Sequence, residues 1–191
     1  LKVIEERSSG LQKFVNNYRK FTKLPEPEFQ KSDITDLISK VLLVCSGLKK
    51  FNIVQLDEHL PDSLVTITDE DLLSQVLINL IKNALESFDE NGTIKNPVIQ
   101  IHAYRETDRI KIDICNNGKE IPSELREQIF VPFFTTKENG TGIGLSLSKQ
   151  VMLKLGGDIQ LGSNRQDYTC FTVSLPSGPG QAPAQNHQSV Q

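Results

Sequence analysis

Between residues 69 and 92 apolar side chains recur every three or four positions. Leu73, Val76, Leu77, Leu80, Ile81, Ala84, Leu85 and Phe88 cover one broad arc at ~100° per residue. The spacing predicts a helix of about twenty residues, capped by Asp69 or Thr68. Gln75, Asn79, Asn83 and Glu86 share a wedge of about 80° beside that arc. A 3-4-3-3 rhythm through Leu11, Phe14, Tyr18, Phe21 and Leu24 predicts an N-terminal amphipathic helix, stopped by Pro25 and Pro27. Another helix is expected from Ser32 or Asp33 to about Lys50, and a last one over LSLSKQVMLKLGG, ended by its glycines. Period-two alternation marks NPVIQIHAYRE and DRIKIDICNN as an antiparallel pair, with further strands in FNIVQLDE, SLVTITD, DIQLGS and YTCFTVSLP. This order of elements implies a two-layer α/β sandwich of the α+β class, with helices on one face of a mixed sheet.

Composition narrows the chemistry. The chain has 191 residues, 37% hydrophobic and 24% charged, as a soluble globular domain with appendages would. A net charge of −3 offers no basic footprint, so no nucleic-acid partner is expected. No run approaches the ~20 apolar residues that cross a bilayer, and no signal peptide opens the chain. Cys45, Cys115 and Cys170 are widely spaced, and their odd number suggests free thiols in a reducing compartment. His59, His102 and His187 are too scattered to form a zinc site with them.

Two features carry chemistry. Asn79 and Asn83, one turn apart, could present side-chain oxygens to a ligand beside the helix. In KENGTGIGLSLSK, Gly140, Gly142 and Gly144 lead directly into a helix. Backbone amides at such a junction bind phosphate, and glycine removes the Cβ obstacle. PFFTTK, just upstream, adds two hydroxyls and a cation. The Rossmann GxGxxG pattern fails at its third glycine, and no Walker GK[ST] occurs.

Taken in order, NLIKNALES, DICNNGKEIP, IFVPFFTTK and GTGIGLSLSK resemble the N, G1, F and G2 boxes of sensor histidine kinases. Those kinases share an ATPase superfamily with gyrase, Hsp90 and MutL. The resemblance covers roughly residues 1–176 and implies a Bergerat-type ATP-binding fold preceded by an N-terminal helix. It implies that Asn83 holds Mg²⁺, that Asn79 orders the metal-phosphate network, and that Lys82 adds charge nearby. Asn116, Gly118 and Ile121 would form the adenine pocket. Thr135, Thr136 and Lys137 would lie in the mobile lid, with the backbone of Gly140, Thr141, Gly142, Ile143, Gly144 and Leu145 cradling the phosphates of ATP. Phe133 and Phe134 would pack the lid.

The resemblance also implies a domain plan and partners. Residues 1–24 would be the second helix of the dimerisation and phosphoacceptor domain, 25–32 a linker, 33–176 the catalytic domain and 177–191 a flexible tail. None of the three histidines has the acceptor's setting, so the acceptor is expected upstream of this fragment. The expected enzyme is a cytoplasmic protein-histidine kinase, whose parent could be anchored in the inner membrane. It would work as a homodimer and relay phosphate to a response regulator, with no membrane contact by this fragment. The alternative is a regulatory pseudokinase that binds nucleotide without phosphotransfer. Two departures from the family pattern keep it open: Asn116 stands where the family has aspartate, and Glu120 where it has a second glycine. A neutral Asn116 oxygen still accepts a hydrogen bond from adenine, without charge assistance, which predicts weaker binding.

Overall fold

The computed structural model describes residues 24–88, 94–137, 140–162 and 168–178. The predicted N-terminal helix, apart from Leu24, and most of the predicted tail lie outside them. The elements run β1 (Gln30–Asp33), α1 (Ile34–Cys45), β2 (Gln55–His59), β3 (Val65–Thr68), α2 (Glu70–Glu86), β4 (Val98–Glu106), β5 (Arg109–Asn116), α3 (Gly144–Lys154), β6 (Asp158–Leu161) and β7 (Thr169–Pro176). Short 3-10 turns occupy Phe51–Ile53 and Ser123–Leu125.

Five strands form a mixed sheet in the order β2-β4-β5-β7-β6, with β2 parallel to β4 and every other pair antiparallel. The predicted pair β4–β5 is present in full register, from Ile99 opposite Asn116 to Glu106 opposite Arg109. Ile99, Ile101, Ile110, Ile112, Ile114, Val173 and Leu175 alternate onto one face, where they are buried. The apolar stripe of α2 covers them, with Leu73, Leu77, Leu80 and Ile81 each at most 1% exposed. Full burial of each such side chain contributes roughly 1.5–3 kcal/mol. Helix α2 lies between α1 and α3, which complete the helical layer.

Aspartates start both of the first two helices. Asp33 accepts from the amide of Thr35 at 2.9 Å, and Asp69 from that of Leu72 at 2.9 Å. Each offsets an amide that the first turn leaves without an intrahelical partner.

Sequence spacing does not convey three tertiary relationships. β1 forms at the end of the stretch read as a linker and pairs antiparallel with β3 in a separate two-stranded sheet. β2 and β3, adjacent in sequence, belong to different sheets. Cys115 and Cys170 are bonded as a disulfide, which corrects the expectation of free thiols. They stand directly opposite each other on β5 and β7, a juxtaposition created by strand register across 55 residues of sequence. Cys45 is a free thiol, buried, and burial raises its pKa.

Candidate ATP-binding site

Three loops meet one flank of α2 at successive turns. Asn79, Asn83 and Ser87 are spaced i, i+4, i+8, which stacks them along about 12 Å of helix axis. Each faces a different segment.

At the first turn, Asn79 meets the glycine loop. Its Nδ2 donates to Ser148 Oγ of α3 at 3.0 Å. A Cβ at Gly144 would lie 2.4 Å from Asn79 Oδ1, so a larger residue here would have to displace the Asn79 side chain or the start of α3. Gly142 takes φ +65°, a conformation that favours glycine, and its carbonyl accepts from the Phe133 amide at 2.8 Å. That bond ties the base of the lid to the glycine loop. Helix α3 differs from α1 and α2 at its start: its N-cap is Ile143, and no side chain among the described residues caps it. Its first amides therefore remain available to an anion, with the helix dipole behind them. Ile143 itself is buried, so it can serve a ligand only through its backbone, whereas Gly140 and Thr141 are exposed.

At the second turn, Asn83 meets the lid. The Lys137 ammonium donates to Asn83 Oδ1 at 3.1 Å and to Glu86 Oε2 at 2.5 Å. Lys82 lies 3.7 Å from the other oxygen of Glu86, with its side chain 59% exposed. Asn83 and Glu86 thus hold a cation between hard oxygen donors, the donor type that Mg²⁺ prefers. Their chemistry fits a divalent ion as well as an ammonium. Thr135 Oγ1 accepts from the Lys137 amide at 3.1 Å and shapes the lid turn, while Thr136 is exposed.

At the third turn, Ser87 meets the loop after β5. Asn116, 3% exposed, donates from Nδ2 to Ser87 Oγ at 2.9 Å, and the Lys119 amide donates to the Ser87 carbonyl at 3.1 Å. A Cβ at Gly118 would fall 1.8 Å from Ser87 Oγ. Ile121 packs, partly buried, against the core. Arg126 donates to Glu120 at 3.1 Å, so the residue in place of the family's second glycine is held by an exposed ion pair.

The structure therefore gathers Asn79, Asn83, Asn116, Gly118, Lys137 and the Gly140–Leu145 loop around one helix. Among the described residues, Lys82 joins them through Glu86. Glu86, Ser87 and Ser148 also belong to this cluster, beyond the residues that the family resemblance implies. The spacing of Asn79 and Asn83, continued by one turn, would have pointed to Ser87.

The family model described as "Histidine kinase-, DNA gyrase B-, and HSP90-like ATPase" matches residues 68–179, more than half of the chain. Sensor histidine kinase ZraS of Escherichia coli is 31% identical over 175 residues, covering 91% of this chain and 37% of that protein. Sporulation kinase D of Bacillus subtilis is 30% identical over 176 residues, covering 91% of this chain and 34% of its own. The chain thus spans about a third of the length of these curated relatives. Among solved structures, the catalytic domain of histidine kinase ThkA is 34% identical with a TM-score of 0.68, covering 80% of this chain and 99% of that one. ThkA in complex with response regulator protein TrrA matches at 30% identity and TM-score 0.72, over 92% of this chain and 49% of that one. The chain belongs to the histidine kinase-, DNA gyrase B- and HSP90-like ATPase family, as a catalytic domain of the histidine kinase kind.

Proposed function

We propose that this chain is the ATP-binding catalytic portion of a cytoplasmic sensor histidine kinase. It transfers the γ-phosphoryl group of ATP to a histidine upstream of residue 1. The observation that carries this reading is the stacking of Asn79, Asn83 and Ser87 along α2, each against the loop expected to hold a different part of the nucleotide. Residues 1–24 close the dimerisation domain of a homodimer, the linker leads out of it into β1, and the catalytic domain runs from β1 to residue 176. The relay to a response regulator aspartate is supported by the likeness to the ThkA complex. Among the described residues no helix is long and apolar enough to cross a membrane.

Transfer breaks the bond between the γ-phosphorus and its bridging oxygen, forms a phosphorus-nitrogen bond to imidazole, and releases ADP. Such a reaction leaves the protein with positioning and electrostatic work. The amides of Gly140 to Leu145 hold the phosphates, and Lys137 brings a positive charge to them from the lid. Thr135 and Thr136 shape that lid. Asn116, Gly118 and Ile121 enclose the adenine. Asn79 and Lys82 organise the phosphate side of α2. Asn83, with Glu86 beside it, would hold Mg²⁺, which when bound offsets charge on the phosphate oxygens. Asn79 has no basic group with which to activate water, so hydrolysis is slow. The test is a longer chain carrying the upstream histidine, incubated with γ-labelled ATP. Acid-labile, base-stable labelling of that histidine is expected. Rapid phosphate release by the present chain without an acceptor would overturn the assignment.

A further inference from the structure

Ser87 lies at the C-terminal end of α2 and makes three contacts whose proton count can be followed. Its Oγ is 2.6 Å from the Ala84 carbonyl, which has no proton to give, so the hydroxyl donates there. A serine hydroxyl has one proton, and that bond uses it. Whatever else meets Ser87 Oγ must therefore donate to it. Asn116 meets it at 2.9 Å, and the only donor on an asparagine side chain is the NH₂ group. The orientation of the Asn116 amide thus follows from proton count, with Nδ2 toward Ser87 and Oδ1 away from it. Ser87 also anchors the loop around that amide: its carbonyl accepts from the Lys119 amide at 3.1 Å, and Gly118 packs against its side chain.

We infer that Ser87 is a positioning residue for base discrimination, one that holds Asn116 as a hydrogen-bond acceptor and so selects 6-amino purines over 6-oxo purines. The inference rests on the reading of this site as a nucleotide pocket with Asn116 at the base. Adenine offers a donor at its 6-amino group, whereas guanine offers an acceptor at O6. An asparagine that could turn over would serve either base. With Ser87 supplying only an acceptor, the turned-over amide would face oxygen with oxygen, and a partly buried acceptor pair without a proton is costly. An aspartate at this position has no donor for Ser87 and would face the same conflict unless the serine released Ala84. Ser87 and Asn116 are therefore matched to each other.

The experiment measures ATP and GTP dissociation constants by calorimetry for wild type, Ser87→Ala and Ser87→Thr. Wild type should prefer ATP. Ser87→Ala frees the amide to rotate, and the ATP-over-GTP preference should fall by about tenfold, the equivalent of one net hydrogen bond. Ser87→Thr keeps the hydroxyl and should keep the preference. In an Asn116→Asp background there is no amide to rotate, so adding Ser87→Ala should not lower the ratio. This pair keeps the test decisive should the single alanine variant fold poorly. Equal weakening of both nucleotides by Ser87→Ala, with the ratio intact, would mean a merely structural role and overturn the inference. Wild type that binds neither nucleotide would instead overturn the nucleotide reading itself.

Discussion

Gly144→Ala tests whether the approach of α3 to α2 is required. The added Cβ would sit 2.4 Å from Asn79 Oδ1 and 3.1 Å from its Cγ, against an ordinary contact distance of 3.4–4 Å. Either the Asn79 side chain turns away or the first turn of α3 shifts by about 1 Å, the shortfall from contact distance. Turning Asn79 breaks its bond to Ser148, worth about 1 kcal/mol, and an off-rotamer side chain adds roughly 0.5–1.5 kcal/mol. The better helix propensity of alanine returns up to about 1 kcal/mol. The net expectation is a loss of about 1 kcal/mol, a fall in Tm of a few degrees, together with weaker ATP binding because the phosphate-facing amides move. Urea unfolding and ATP titration measure the two effects. Asn79→Ala removes the obstructing oxygen, so the double variant should lose less stability than the two single losses added together. A Gly144→Ala protein that is more stable than wild type and binds ATP equally well would refute the steric account.

Lys137→Ala should change stability by less than about 1 kcal/mol, since its partners are well exposed. It should nevertheless weaken ATP binding and flatten its salt dependence, which calorimetry at several ionic strengths would show. Asp33 has its pKa lowered by hydrogen bonds from the Ser63 hydroxyl and the Leu64 amide. That contribution is complete above the ordinary carboxylate pKa and is lost as pH falls through the lower folded value. Asp33→Asn should therefore make urea stability less steep in pH below about 4. After mild oxidation the denatured protein should titrate one thiol, Cys45, and after reduction all three. Three titratable thiols before reduction would contradict the Cys115–Cys170 pairing.

Local patterns were legible in the residues alone. The arc of α2 follows from the 3.6-residue period, and Asp69, a candidate cap from the residues alone, accepts the Leu72 amide at its start. The alternation of β4 and β5 predicted their pairing, and the glycine run marked a loop entering a helix. These features depend on residues close in sequence, so propensity, periodicity and capping chemistry determine them. Other facts depend on which distant segments meet. The parallel register of β2 with β4, the disulfide between Cys115 and Cys170, and the hold of Lys137 on Asn83 each join residues more than forty positions apart. The orientation of Asn116 is of the same kind. The sequence placed an amide where the family has a carboxylate, but only packing against Ser87, whose proton is already given to Ala84, decided which end of that amide faces away.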